Sequence, residues 1–141
     1  MLFRSPGEEL LLYLAVSPAA ISAALIEEED RVQKPVYYTS RALRGAEERY
    51  PPMEKLTFTL VTAARKLKPY FQAHTVIILT DKPLRRAMSI PEAAGRLALW
   101  AIELSEFDIQ YRPRTAIKGQ IVAKFIAEFT SDEGEGTDEV P

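Results

Sequence analysis

The stretch from Pro51 to Asp81, PPMEKLTFTLVTAARKLKPYFQAHTVIILTD, constrains the whole chain because it joins a long helical pattern to a buried strand across a one-turn break. Leu56, Leu60, Ala63, Leu67 and Phe71 recur at helical spacing and make one apolar stripe. Glu54, Phe58, Val61 and Arg65 fall on nearly the opposite side, so this helix is apolar on two faces. A helix of that kind sits centrally between neighbours, and Glu54 is expected inside the protein or at the lip of a cleft. Pro51 and Pro52 suit a first turn, where a missing N–H costs little. The Gln72-Ala73-His74 region ends the helix before the β-branched run Thr75-Val76-Ile77-Ile78, and Asp81 follows that strand. An acid on a first helical turn and an acid just past a buried strand can meet at one rim of a sheet.

The flanking segments supply the rest of such a sheet. Leu10 to Val16 is a continuous apolar run, the pattern of a strand covered on both faces. Ser17-Pro18 breaks it, and Ala19 to Glu27 reads as a second strand, with a helix as its rival because alanine favours helix. Beyond the acidic turn Glu28-Glu29-Asp30, Gln33 to Ser40 reads as a third strand of a meander. Arg41, Arg44 and Arg49 lie on a polar connection into the long helix. After Thr75–Thr80, Pro83 to Met88 is a short helix or turn, and Pro91 opens a further helix with Leu97, Trp100, Leu104 and Phe107 along one stripe. Trp100 is therefore expected in the core rather than as a stacking platform for bases. Phe107, Ile109 and Tyr111 alternate with Asp108, Gln110 and Arg112, a half-exposed strand stopped by Pro113. A last amphipathic helix spans about Ile117 to Phe129. The order is βββαβαβα.

Composition removes whole classes of chemistry. At 141 residues and 47% hydrophobic the chain suits one domain with a sizeable core. With no cysteine and His74 as the single histidine, disulfides, thiolate zinc sites and histidine-rich metal sites are excluded. No signal-peptide layout or membrane-spanning run is present, and an intracellular protein, cytoplasmic or nuclear, is expected. The net charge of −2 hides an asymmetry: Ser131 to Pro141 holds five acids and no base, leaving residues 1–130 at +3. Residues 131–141 are expected to form a disordered acidic tail, residues 1–9 a lead-in, and residues 10–130 the domain.

There is no glycine-rich phosphate loop, no nucleophile elbow and no zinc-type spacing, so carboxylates remain as the candidates. Acids at strand ends and helix starts suit a two-metal site, in which two Mg2+ ions roughly 3.5–4 Å apart clamp a phosphodiester. Glu54 and Asp81 alone are equally compatible with pairing to the helix dipole and with a strand-to-turn aspartate.

The succession YLAVS, PVYYTSRAL, AEERYPPMEKLTFTLVTAARKLKPYF, VIILTDKPL, GRLALWAIELSEFDIQYRP and IVAKFIAEF resembles the RNase H-like domain of the reverse transcriptase polyprotein of gypsy-class LTR retrotransposons, most like those of plants. The resemblance covers roughly Leu10 to Thr130. It implies an α/β ribonuclease H-like fold with a five-stranded mixed sheet flanked by helices, four acids holding two Mg2+ or Mn2+ in active members, and an RNA–DNA hybrid as ligand. It puts the second acid on Glu54 and the third on Asp81. The first strand departs from the pattern, with Ala15 where the metal-bridging aspartate belongs, and the last helix has Lys124 in place of an acid. A two-metal site is therefore not expected, and any metal held by Glu54 and Asp81 would be a weak single ion.

The resemblance thus implies a catalytically degenerate domain, structural and nucleic-acid-facing, beside a polymerase domain in a polyprotein and without a membrane role. Lys124 is read either as an ammonium satisfying Glu54 or Asp81 or as a solvated helix residue. Arg41, Arg44, Arg49, Lys55, Arg112 and Arg114 are candidate phosphate contacts, with ordinary surface charge as the alternative. Two rival functions stand: an active ribonuclease completed by Asp108 or an acid of the Glu27–Asp30 turn, and a domesticated protein-interaction module.

Overall fold

A computed structural model describes residues 9–30, 32–89 and 95–114; Lys124, the expected last helix and the acidic tail lie outside them. Three strands open the fold: β1 (Leu10–Val16), β2 (Ala20–Glu29) and β3 (Val32–Ala42). They form an antiparallel meander, and the turn between β2 and β3 places Asp30 at φ +54°, a left-handed conformation that aspartate tolerates. β4 (Val76–Leu79) and β5 (Ile109–Arg112) then add in parallel, giving a five-stranded mixed sheet in the order β3-β2-β1-β4-β5.

Position in this sheet explains the composition of each strand. β1 and β4 are interior and buried on both faces, which is why each reads as an unbroken apolar run rather than an alternation. Leu10, Leu12 and Leu14 of β1 join Val76 and Ile78 of β4 in the cluster that includes Leu60, Ala63, Leu67 and Phe71. Leu11, Tyr13, Ile77 and Leu79 pack with Ala24, Ile26 and Tyr38 in a second cluster on the opposite face. Each leucine or isoleucine so buried contributes about 1.5–3 kcal/mol relative to exposure. β3 lies at an edge, where Pro35 is tolerated opposite Ile26 beside a register shift.

The helices are α1 (Pro52–Lys66), α2 (Lys68–Ala73), α3 (Leu84–Ser89) and α4 (Gly95–Leu104). The helix expected to run unbroken through Gln72 is interrupted at Leu67, with φ −110° and ψ 32°, because Pro69 lacks an N–H and its ring clashes with the preceding turn. The apolar stripe survives the break, and Leu67 and Phe71 are both buried. β2 is a strand, not a helix, and β3 extends further than expected, so Arg41 lies within it rather than on the connection. That connection is a 3-10 turn over Gly45–Arg49, tied to β3 by a bidentate pair from Arg41 to Glu47 at 2.9 and 3.1 Å. The hydrogen bond from Arg41 holds the Glu47 carboxyl below its ordinary pKa. α4 stops at Leu104, and Phe107 lies beyond it against Phe71 at 5.6 Å.

Candidate functional site

The parallel pairing of β1 with β4 sets the site. Tyr13 is level with Leu79, so Ala15 and Asp81, each two residues further on, arrive together at the C-terminal ends of adjacent strands. The first turns of α1 close over the same end. The result is a cleft of about 740 Å3 walled by Leu14, Ala15, Tyr50, Met53, Leu56 and Asp81 among others. Lys55, Lys82 and Arg114 bring cations to its lining. Asp81 is held from the β5 side, where the Arg114 backbone N–H donates to its Oδ1 at 3.0 Å. The Arg114 guanidinium lies 5.7 Å from the centre of the Tyr13 ring.

Glu54 is not part of this cleft. Its carboxylate accepts from Arg96 of α4 at 2.5 Å, and the same guanidinium lies 4.2 Å from the Tyr50 ring centre. Phe58 stacks on Trp100 at 5.5 Å, and Arg65 makes a bidentate pair with Glu103 at 2.7 and 2.8 Å. Hydrogen bonding to Arg65 holds the Glu103 carboxyl below its ordinary pKa. The Glu54–Phe58–Arg65 stripe thus meets Arg96, Trp100 and Glu103 in ascending order, so α1 and α4 lie side by side and run the same way. Glu54 belongs to this seam. Pro52, Met53, Lys55 and Leu56 of α1 line the cleft with Ala15 and Asp81, and Leu56 lies about 200° around the helix from Glu54.

The position of Glu54 makes the two halves of its ion pair unequal. Its side chain is 11% exposed and that of Arg96 44%. Arg96→Ala strands a buried carboxylate and is expected to cost about 2–3 kcal/mol, whereas Glu54→Ala leaves a cation that water reaches and is expected to cost about 1 kcal/mol. Urea unfolding of the two variants checks the order, and equal costs would contradict it.

The rival acids are at the wrong end of the sheet. Asp108 immediately precedes β5 and accepts from the Thr75 hydroxyl beside the start of β4, a strand length from Asp81. Because β2 is antiparallel to β1 and Ile26 is level with Leu11, the Glu27–Asp30 turn lies at the opposite end from Ala15. Among the described residues no group of three or more His, Cys, Asp or Glu side chains is placed to hold a metal ion. Among the described residues the lining sets one carboxylate against three cations, a donor set that does not fit a pair of divalent cations.

Of the expected phosphate contacts, Lys55 and Arg114 reach the cleft. Arg41 is engaged by Glu47 and lies 5.1 Å from the Phe58 ring centre, while Arg112 is 4.0 Å from Glu9. Arg44 and Arg49 are exposed around the 3-10 turn. Lys82 and Leu56 were not anticipated as lining. Adjacency to Asp81 signals the first, and the opposition of the two α1 stripes signals the second. No helix among the described residues is long and apolar enough to cross a membrane.

Comparison with known proteins places this architecture. Residues 5–107 match the model of the RNase H-like domain found in reverse transcriptase. The Pol polyprotein of transposon opus from Drosophila melanogaster is 29% identical over 98 residues, 67% of this chain and 10% of that protein. The Pol polyprotein of transposon 297 from the same organism is 29% identical over 77 residues, 54% of this chain and 7% of that protein. This chain therefore spans a tenth or less of the curated relatives it matches. The foamy viral protease-reverse transcriptase solved with dsDNA shares the fold at a TM-score of 0.57 and 22% identity, over 78% of this chain and 24% of that one. The same enzyme solved with an RNA/DNA hybrid gives 0.55 and 23%, over 78% and 15%. The chain belongs to the family of RNase H-like domains found in reverse transcriptase.

Proposed function

We propose that this domain is a non-cleaving, nucleic-acid-facing module of a retrotransposon Pol polyprotein, of the gypsy class and plant type that its motifs resemble. The observation that carries the reading is the cleft at the ends of β1 and β4: alanine and leucine line it with Asp81, and among the described residues cations outnumber the carboxylate. Hydrolysis through two metals needs acids to gather the ions, and these residues repel cations instead. The foamy viral relatives solved with dsDNA and with RNA/DNA hybrid support a nucleic-acid duplex as the ligand of this module. The relatives that carry the domain within far longer polyproteins support a neighbouring polymerase.

Incubation of the purified domain with an end-labelled RNA–DNA hybrid and Mg2+ or Mn2+ is expected to give no cleavage above the metal-free background. Metal-dependent cleavage that disappears in Asp81→Ala would overturn the reading. The second reading, a domesticated protein-interaction module, is favoured by Leu99 and Ile102, which are 67% and 68% exposed on α4. It is the reading left if the domain neither cuts nor binds a hybrid.

A further inference from the structure

The lining of the cleft has a charge sign that suits an anion. Among the described residues, Lys55 on α1, Lys82 after β4 and Arg114 after β5 share the lining with a single carboxylate, that of Asp81, whose Oδ1 already accepts from the Arg114 backbone N–H. Arg114 is further committed to the Tyr13 ring. Lys55 and Lys82 have no carboxylate partner among the described residues, and they reach the same cleft from different elements, Lys55 from α1 and Lys82 from the segment after β4. Two ammonium groups in one partly apolar lining attract phosphate and disfavour a divalent cation.

The apolar part of the lining decides which phosphate. Met53, Leu56 and the Tyr50 ring, all only partly buried, offer surface to a sugar and a base edge, and about 740 Å3 far exceeds the volume of an inorganic phosphate. A phosphodiester carried on a nucleic-acid backbone satisfies both halves of the lining. We infer that Lys55 and Lys82 contact backbone phosphates of bound nucleic acid directly, so that the domain holds a duplex through this cleft without divalent cations. The inference rests on the non-cleaving, nucleic-acid-facing reading and specifies how that module holds its ligand.

Fluorescence anisotropy with a labelled RNA–DNA hybrid tests it on the full chain. The dissociation constant is expected to be the same in Mg2+ and in EDTA at matched ionic strength. The plot of log affinity against log salt is expected to lose about 1 in slope for each lysine removed, hence about 2 in the double variant Lys55→Ala, Lys82→Ala. Lys34→Ala, on edge strand β3 at the far end of the sheet, is expected to leave the slope unchanged. Thermal unfolding of each variant verifies that it is folded. A hybrid that binds only with Mg2+, or that binds the double variant with the parental slope, overturns the inference and leaves the non-cleaving module intact. A parent that binds no hybrid at any salt concentration overturns the inference and the nucleic-acid-facing reading together.

Discussion

The double variant Ala15→Asp, Leu56→Glu is expected to bind Mn2+ at least about tenfold more tightly than the parent, a gain of about 1.4 kcal/mol or more by titration calorimetry. Ala15 is brought level with Asp81 by the β1–β4 register, and Leu56 faces the same cleft from α1, so the two substitutions assemble three carboxylates from three different elements. Hard divalent cations take oxygen ligands, and affinity follows the number of charged ones supplied. Without metal the three acids repel one another, so the variant is expected to be less stable than the parent and to regain melting temperature as Mn2+ is added. Glu54→Gln in the same background is expected to leave the affinity for Mn2+ unchanged, since Glu54 lies in the α4 seam. An affinity that falls with Glu54→Gln, or that never rises in the double variant, would mean that the rim is assembled differently.

Trp100→Ala is expected to cost about 3–5 kcal/mol of folding stability, a large share of the roughly 5–15 kcal/mol that a domain has. Trp100 is 8% exposed and forms one corner of an aromatic triangle, 5.5 Å from Phe58 and 6.1 Å from Tyr50. Tyr50 and Phe58 close it edge to face at 5.7 Å. Truncation removes the stacking as well as the buried area, and opens a cavity between α1 and α4 that Arg96 and Glu54 flank. Leu99→Ala, one residue away and on the outer surface, is expected to change stability by no more than about 0.5 kcal/mol. Urea denaturation of the pair provides the comparison. A lower midpoint with an unchanged slope for Trp100→Ala is the expected form, and similar midpoints for both variants would contradict the seam.

Much of this is legible in the sequence alone. Continuous apolar runs at Leu10–Val16 and Val76–Leu79 announced strands with both faces covered, because only such a strand has no use for polar residues on either side. The two stripes of α1 announced a helix packed on two sides, and the core position of Trp100 followed from its spacing to Leu97 and Leu104. Placing Asp81 at the rim needed no more than its position just past a buried strand. The apolar stripe continues across Pro69, so periodicity alone makes α1 and α2 one helix, and the proline's local effect on the backbone sets the break at Leu67.

What the chain determines by itself is which residues share a face, since periodicity is a local property of backbone geometry. Glu54 and Leu56 were legibly on opposite sides of one helix. Which side opens on the cleft and which packs on α4 was decided by contacts 42 residues apart in sequence, between Glu54 and Arg96, and 33 apart, between Asp81 and Arg114. Such pairings depend on how whole elements dock, and the burial that drives docking is non-directional and summed over many side chains. A motif can therefore name an acid, and only the packed fold decides whether that acid faces a ligand or a neighbouring helix.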